Sequence, residues 1–209
     1  REGPRGLVRI NAPRSAIDLA IVPHLGRLAS EYPGITLEVV ADEGFANIVE
    51  QGFDAGIRLG EDLHNDMRAV RLTPDLRFAI VATPDYFQRH GEPTHPQDLL
   101  QHRCIGWRKA SSGERYKWAF QQGEQRFSVA VNSPLILDDG RMMMQAALAN
   151  VGIAFAIEQE VEEYLASGRL RRVLADWCAP FPGFYLYYPN RRNHSVALAT
   201  VIELLRLPT

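Results

Sequence analysis

Strand-like and helix-like segments alternate over the first 60 residues, and this alternation constrains the fold more than any other feature of the chain. Apolar, β-branched runs at Leu7–Ala12, Ile35–Ala41 and Asp54–Leu59 predict three strands. Apolar residues spaced by three or four positions predict a helix over Ala16–Tyr32 and a shorter one over Phe45–Gln51. Strands that alternate with helices form a parallel sheet covered by helices, so the sequence predicts an α/β fold.

The rest of the chain repeats this order less regularly and finishes with one more strand and helix. A hairpin is predicted around Gly123, a helix over Arg141–Ala149 and a strand over Gly152–Ile157. The final strand, Phe184–Tyr188, and the final helix, Ser195–Leu207, are too few residues to bury their own apolar face. No long linker precedes them, so we expect them to pack on an earlier part of the chain.

The simplest topology is two Rossmann-like α/β lobes joined by two crossing hinge segments. The 209 residues are enough for two lobes of about 100 residues each. We expect residues 1–76 with 181–209 in the first lobe and residues 77–180 in the second. The crossing segments are then Pro74–Ala79 and Ala179–Gly183.

The charge balance argues against direct binding of nucleic acid. The formal net charge is −2, whereas a domain that grips DNA by itself needs a basic excess to match the phosphates. The two cysteines, Cys104 and Cys178, form no zinc-type cluster and are typical of a reducing compartment. There is no apolar signal region at the start and no run long enough to span a membrane, so we expect a cytoplasmic protein without membrane contact.

Catalytic signatures are missing from the sequence. There is no phosphate loop, no dinucleotide-binding glycine fingerprint and no nucleophile elbow. The six histidines are scattered and form no metal-ligand pair. We therefore expect no enzymatic activity, no metal and no cofactor.

Three features favour a binding module. Arg14 and Ser15 lie where the first strand leads into the first helix, and Asp139 and Gly140 lie at the matching place in the second lobe. Ligands of open α/β sheets bind at the carboxyl ends of strands, near helix N-termini.

Arg58 ends the third strand at the same edge and could hold a carboxylate, or form a surface ion pair with Asp54 or Glu61. The two aspartates before the second-lobe helix, Asp138 and Asp139, could instead only cap that helix. Trp107 and Trp118 belong either to the rim of this site or to the core.

An ordered series of short motifs resembles the effector-binding domain of LysR-type transcription regulators. No single motif decides the resemblance, but the series spans nearly the whole chain in the family's order. Its members are Gly6-Leu7-Val8-Arg9-Ile10, Tyr32-Pro33-Gly34-Ile35-Thr36-Leu37-Glu38, Gly52-Phe53-Asp54-Ala55-Gly56-Ile57-Arg58-Leu59-Gly60, Ala82-Thr83-Pro84-Asp85-Tyr86-Phe87, Gly152-Ile153-Ala154-Phe155, Ser167-Gly168-Arg169-Leu170 and Tyr188-Pro189-Asn190-Arg191-Arg192.

The resemblance implies a periplasmic-binding-protein-like fold with a small-molecule effector bound in a cleft between two lobes. It further implies homodimers and homotetramers, and DNA binding through an N-terminal winged helix-turn-helix that this chain lacks. Carried onto this sequence, the family's ligand-binding positions, together with Arg58 from the strand edge, are Arg14, Ser15, Glu43, Gly44, Arg58, Asp139, Gly140 and Arg141.

Two positions depart from the family's pattern, and other functional classes stay open. Asn150 stands where the family usually has glycine, and Glu158 where it commonly has proline. The alternative class is an extracytoplasmic solute-binding protein of a transporter, for which the expected signal peptide is missing. A small hydrolase or transferase would need a nucleophile–base pair, and a redox-sensing regulator would use Cys104 and Cys178.

Overall fold

The computed structural model describes residues 3–44, 47–60, 66–109, 112–190 and 193–209. The chain divides into two compact units. Unit 1 comprises Arg1–Asp75 and Pro182–Thr209, and unit 2 comprises Leu76–Phe181. The chain therefore leaves unit 1 once and returns to it once.

The first segment of unit 1 follows the predicted alternation of strands and a helical stretch. Its elements are β1 (Gly6–Ala12), α1 (Arg14–Ala16), a π-helical turn (Ile17–Ile21), a 3₁₀ turn (Val22–His24), α2 (Leu25–Glu31), β2 (Ile35–Ala41), β3 (Ala55–Leu59) and β4 (Met67–Arg71). The helical stretch changes its hydrogen-bonding pattern around Pro23, which lacks the N–H that an uninterrupted α-helix requires.

The short helix expected over Phe45–Gln51 is wrong for the residues that the structure describes. Residues 48–52 form a turn, and Phe45 and Ala46 lie outside the described residues. Gly52 adopts a left-handed φ of 75°, and the Phe53 N–H donates to the Ile48 carbonyl at 2.7 Å. Because glycine takes this φ without steric cost, it reverses the chain here rather than continuing a helix.

Unit 2 contains the central part of the chain. Its elements are β5 (Phe78–Ala82), α3 (Pro84–His90), a 3₁₀ helix (Pro96–Gln101), β6 (Ile105–Trp107), β7 (Trp118–Gln122), β8 (Gln125–Val129), β9 (Leu135–Leu137), α4 (Gly140–Leu148), β10 (Ala154–Ile157), α5 (Glu158–Ala166), β11 (Arg171–Val173) and a 3₁₀ turn (Ala175–Trp177). β12 (Phe184–Pro189) and α6 (Val196–Leu205) then complete unit 1.

The sheet of unit 1 has the strand order β2-β1-β3-β12-β4. β1 pairs in parallel with β2 and β3, as the alternation predicts, whereas β12 is antiparallel to both β3 and β4. The sheet is therefore mixed, and its fourth strand comes from the C-terminal segment. The inward faces of β1, β3, β12 and α6 form the core, with Val8, Ile10, Ile57, Leu186 and Val201 fully buried.

The described residues of unit 2 form three smaller sheets around one apolar core. β5 lies between β10 and β11, both antiparallel to it; β6 and β9 are parallel; and β7 and β8 form the hairpin predicted around Gly123. The Phe155 ring lies at the centre of an aromatic group, with ring centroids 5.2 Å from Trp118 and 5.3 Å from Phe78. Gly152 packs directly against the Arg103 backbone, where an added Cβ would lie 2.3 Å from the Arg103 carbonyl oxygen.

The two segments in which the chain crosses between the units are hydrogen-bonded to each other. In unit 2, Leu76 and Phe181 exchange backbone hydrogen bonds of 2.9 and 2.8 Å. In unit 1, the Leu72 N–H donates to the Phe184 carbonyl, and the Phe184 N–H donates to the Thr73 hydroxyl, both at 2.9 Å. In each unit, hydrogen bonds therefore join the residues next to the outgoing crossing to those next to the returning one.

Among the described helices, none combines the length and the apolar character that crossing a lipid bilayer requires.

Candidate functional site

The carboxyl ends of β1, β2 and β3 meet at one edge of the unit 1 sheet, because these three strands run in parallel. Asn11 is the next-to-last residue of β1, Asp42 directly follows β2, and Arg58 lies near the end of β3. Asn11 is 1% exposed and is one of the few buried polar residues in the described chain. Three polar side chains that are distant in sequence are therefore held at this edge.

Four residues at this edge form a closed circuit of hydrogen bonds, which we call the polar ring: Asn11, Asp42, Gly44 and Arg58. The Arg58 guanidinium donates to Asn11 Oδ1 at 2.5 Å and also to the Gly44 carbonyl. Asn11 Nδ2 donates to Asp42 Oδ2 at 3.2 Å, and the Gly44 N–H donates to Asp42 Oδ1 at 2.9 Å. Each member thereby contacts two others.

The charges in the polar ring are matched. Burial lowers the pKa of the Arg58 guanidinium, and the nearby carboxylates of Asp42 and Glu43 act in the opposite direction. The hydrogen bond from the Gly44 N–H lowers the pKa of Asp42, with smaller contributions from Asn11 and Arg58. Asp42 is therefore held ionised beside a partly buried cation.

Glu43 connects the polar ring to the start of the helical stretch. Arg14 is the first residue of α1, and the preceding Pro13 makes no side-chain cap. Glu43 Oε1 instead accepts a hydrogen bond from the Arg14 N–H at 3.0 Å. A carboxylate at this place satisfies one of the otherwise unpaired N–H groups of the first turn and interacts favourably with the helix dipole.

Arg9, from the first family-like motif, anchors the turn that precedes β3. Its guanidinium donates to the carbonyls of Gln51 at 3.2 Å and Gly52 at 3.0 Å, and lies 4.6 Å from the Phe53 ring centroid. The Arg9 N–H also donates to the Asp54 carboxylate at 2.8 Å. These contacts fix the start of the strand that carries Arg58, so two motifs that are distant in sequence support one edge.

In unit 2 the predicted residues lie at the start of α4. Asp139 is the N-cap, and its Oδ1 accepts a hydrogen bond from the Arg141 N–H at 2.8 Å. Gly140 is the first residue of the helix. This is the capping geometry that the sequence left open as the alternative to a ligand contact.

An aromatic recess is the other feature of unit 2. It encloses about 340 Å³ of empty space, including the part open to solvent, and is lined mainly by Phe78, Tyr116, Trp118, Phe120 and Phe155. Trp118 is 1% exposed and belongs to the core, whereas Trp107 is half-buried against Tyr116. The recess is apolar and narrow.

The two thiols lie inside unit 2. Cys104 and Cys178 are both free and buried. Burial raises the pKa of Cys104 to about 12 and also raises that of Cys178. Thiolate is the reactive form, so neither thiol has the environment of a redox-reactive cysteine. Within the described ranges, no group of three His, Cys, Asp or Glu residues could hold a metal ion.

The structure brings Arg14 together with Glu43, and Arg58 together with Gly44, all in unit 1. Asp139, Gly140 and Arg141 belong to unit 2, and their sharing of one site with the unit 1 residues stays a prediction. Arg58 donates to carbonyl and amide oxygens, and no ion pair with Asp54 is present among the described contacts. Glu61, the other acid considered, lies outside the described residues.

Asn11 and Asp42 belong to this edge, although the sequence did not predict them as site residues. The available signal for Asn11 was a polar residue between Ile10 and Ala12, near the end of a largely apolar strand.

Comparison with known protein families decides the identity. Residues 1–207 match the family model described as LysR substrate binding domain. The chain belongs to the LysR substrate binding domain family.

Curated relatives of this LysR substrate binding domain are transcriptional regulators. One is a putative transcriptional regulator of Pseudomonas aeruginosa, 43% identical over 206 residues, which cover 99% of this chain and 67% of the relative. Another is the Escherichia coli HTH-type transcriptional regulator PgrR, 32% identical, covering 97% of this chain and 68% of the relative. The chain thus spans about two thirds of the length of these relatives. Their names do not favour the transporter-protein alternative.

Solved structures of LysR regulatory domains have the same fold. The CrgA regulatory domain of Neisseria meningitidis superposes with a TM-score of 0.82 at 24% identity, covering 97% of this chain and 98% of that chain. The AphB regulatory domain of Vibrio vulnificus gives 0.80 at 22% identity, covering 96% and 98%. The periplasmic-binding-protein-like α/β fold expected from the family resemblance is confirmed.

The structure shows how this LysR domain accommodates Asn150, where the family resemblance leads one to expect glycine. Asn150 follows α4 with a left-handed φ of 65°, a conformation that asparagine adopts more easily than most residues. Its Nδ2 donates to Asp85 at 3.1 Å, and its Oδ1 accepts from the Thr83 hydroxyl. The side chain therefore ties the end of α4 to the start of α3.

The second departure, Glu158, is also accommodated by specific contacts. Its N–H donates to the Arg77 carbonyl at 2.9 Å, a bond that proline could not make. Its carboxylate lies 3.5 Å from the Arg172 guanidinium, which in turn donates to the Phe78 carbonyl at 3.0 Å. Glu158 thus connects the start of α5 to β5 and β11.

Proposed function

We propose that this chain is the effector-sensing part of a DNA-binding transcription regulator and that it is not an enzyme. The observation that carries the proposal is the match of residues 1–207 to one family of regulatory domains whose curated relatives are named transcriptional regulators. On this proposal, the remaining third of the regulator is the N-terminal winged helix-turn-helix that reads DNA. The regulator then works in the cytoplasm, where its DNA is.

The proposed effector is a small molecule that contacts both units. On the unit 1 side, its contacts are with Arg14, Ser15, Glu43 and Gly44, at the start of the helical stretch. On the unit 2 side, they are with the first residues of α4, Asp139 to Arg141. Helix starts and strand ends are where open α/β sheets bind ligands, which supports this assignment.

Contact with both units is what would let the effector act as a signal. A ligand changes a conformational equilibrium only when it binds one state better than the other. A molecule held by one unit alone would not distinguish arrangements of the two units. We therefore propose that a bridging effector changes their arrangement and, through it, the spacing of paired DNA-binding domains, with a coupling of about 1–3 kcal/mol.

A metabolite screen by thermal shift tests the sensing function. A ligand at 100 times its Kd adds about 2.7 kcal/mol to the free energy of unfolding, which is a readily measured rise in Tm. A hit should then titrate as a single site and bind more weakly to both Arg14→Ala and Asp139→Ala. Binding that neither substitution weakens would contradict the proposed site, and turnover of the hit would contradict the non-enzymatic function.

The isolated chain should not recognise duplex DNA. Its net charge of −2 offers no basic excess for the phosphates. Retention of a specific promoter fragment by these 209 residues at physiological salt would argue against the division of labour proposed here.

We also propose that the chain self-associates through the first helical stretch and α4. Large apolar side chains are exposed on both: Val22 (48%) and Leu25 (41%) on the first, Met142 (52%) on the second. An antiparallel, two-fold contact between copies would cover them. Sedimentation at high micromolar concentration should detect a dimer; a chain that stays monomeric there would contradict this interface.

A further inference from the structure

The polar ring raises the question of what its two innermost side chains do for the site. Asn11 is 1% exposed, so it cannot offer a surface to a ligand. Both of its polar groups are already bound within the ring, Oδ1 by Arg58 and Nδ2 by Asp42. Any influence of Asn11 on binding must therefore pass through its neighbours.

We infer that Asn11 and Arg58 are positioning residues, which fix the Asp42–Gly44 turn so that Glu43 meets the first N–H of the helical stretch at Arg14. Neither residue is then a contact of the effector. The inference rests on the proposed function, because it concerns the unit 1 side of the proposed effector site.

Asparagine is the residue type that this place in the ring needs. Its amide supplies an acceptor for a cation and a donor for a carboxylate at once. Aspartate would lack the donor and put a second negative charge beside Asp42, and a purely apolar residue would lack both groups. Burial makes the requirement strict, because water cannot replace a lost partner at this depth.

The arginine at position 58 meets a geometric requirement. Its guanidinium donates at the same time to the Asn11 amide oxygen and to the carbonyls of Gly44 and Ile57. A planar fork with five N–H groups can reach acceptors on separate segments, whereas the three N–H groups of a lysine ammonium all radiate from one nitrogen. Charge alone is therefore not sufficient for this role.

The polar ring fixes the backbone of Glu43 from both sides. Asp42 before it is held by Asn11, and Gly44 after it is held through its N–H by Asp42 and through its carbonyl by Arg58. The carboxylate between these two anchored residues accepts from the Arg14 N–H at 3.0 Å. A ligand that approaches the helix start thus meets a geometry that is already set.

The experiment follows the Arg14 backbone amide by nitrogen–proton NMR while pH is lowered from about 7 to about 3, which spans the titration of a glutamate. Protonation of Glu43 weakens the hydrogen bond that its carboxylate accepts, so the Arg14 amide should shift as Glu43 titrates. Glu43→Gln should abolish that shift and so identify it. Asn11→Ala and Arg58→Lys should both lose this shift. At each pH, the unit 2 signals of both variants should match those of the unchanged chain.

Asn132→Ala is the control in unit 2, because it also removes an asparagine hydrogen bond, from the exposed Asn132 Nδ2 to the Leu100 carbonyl at 2.8 Å. It should leave the Arg14 shift intact. If Asn11→Ala does not fold, Asn11→Ser and Arg58→Lys decide the question. Either a full shift in the ring variants, or a loss in the control as well, overturns the inference. No effector is needed, so failure of the effector proposal would leave this result interpretable.

Discussion

Both units carry polar residues near the carboxyl ends of strands, and the two units hold these residues by different means. In unit 1, Asn11 is hydrogen-bonded to Asp42, 31 positions away, and to Arg58, 47 positions away. In unit 2, Asp139 binds the N–H of Arg141, two positions away. One edge is therefore built by the tertiary fold, whereas the other is an ordinary capped helix start.

This difference separates what is preorganised from what can adapt. A ring of long-range hydrogen bonds keeps its shape only while the whole sheet is folded, and it fixes several groups at once. A local cap leaves its helix start independent of distant residues. We therefore expect substitutions in unit 1 to change stability and site geometry together, and those at α4 to separate the two.

The largest effect is expected for Arg58→Ala. The change removes a charged donor from several oxygens, one of them on buried Asn11, and should lower the free energy of unfolding of unit 1 by about 3 kcal/mol. Hydrogen exchange of the β1 and β3 amides measures this for unit 1 alone. Arg206→Ala, which breaks only an exposed pair with Glu203, should cost less than about 0.5 kcal/mol. Equal effects would mean that the ring contributes no more than a surface pair.

A smaller effect is expected at the long-range polar contact of unit 2. Asn150→Ala loses the bonds to Thr83 and Asp85 and puts alanine at a left-handed φ, which together should cost about 1.5 kcal/mol of unfolding free energy. Asn150→Gly loses the same bonds without the strain and should cost less. Chemical denaturation of both variants checks the order, and a less stable glycine variant would refute the strain argument.

Asp139→Ala should cost about 1 kcal/mol of stability, because it removes the cap of α4. If Asp139 also contacts the effector, the same change should weaken effector-dependent transcription by the whole regulator more than it weakens folding. Tm and the transcriptional response are measured side by side. A lowered Tm with a normal response would leave Asp139 with the capping role alone.

The smallest effect is the pH dependence contributed by Asp42. Its pKa is lowered in the folded chain, so its stabilisation is complete above the unfolded value of about 4 and is lost as pH falls through the folded pKa. Asn11→Ala removes one cause of the lowering, so stability should fall less steeply over that acidic range. Acid unfolding of the unchanged chain and of Asn11→Ala, monitored by circular dichroism, tests this. If stability depends on pH equally steeply in both, Asn11 does not act on Asp42.

The sequence predicted the elements whose signals are local. β-branched runs predicted β1, β2 and β3, and the glycine between two polar, strand-like runs predicted the hairpin at Gly123. The strand order then placed Arg14 shortly after β1 and Arg58 near the end of β3, where the structure has them. These predictions succeeded because each depends on residues within a few positions of one another.

The polar ring could not be predicted in this way. Its partners are set by the register of β1 against β2 and β3, which periodicity does not specify. The sequence marks Asn11 as a polar residue between two apolar ones, but its role follows only from its burial and its partners. The turn over residues 48–52 was not predicted for a related reason. Two of its carbonyls accept hydrogen bonds from Arg9, which lies about 40 positions earlier, in β1.

The position of β12 between β3 and β4 has a consequence for the order in which the chain can be completed during synthesis. Unit 2 is one continuous stretch and has all its residues once Phe181 has left the ribosome. Until β12 follows, β3 and β4 each carry an unpaired edge that invites pairing with other chains. A premature stop just after Phe181 would thus leave unit 2 with all of its sequence while the sheet that carries Arg58 lacked an interior strand.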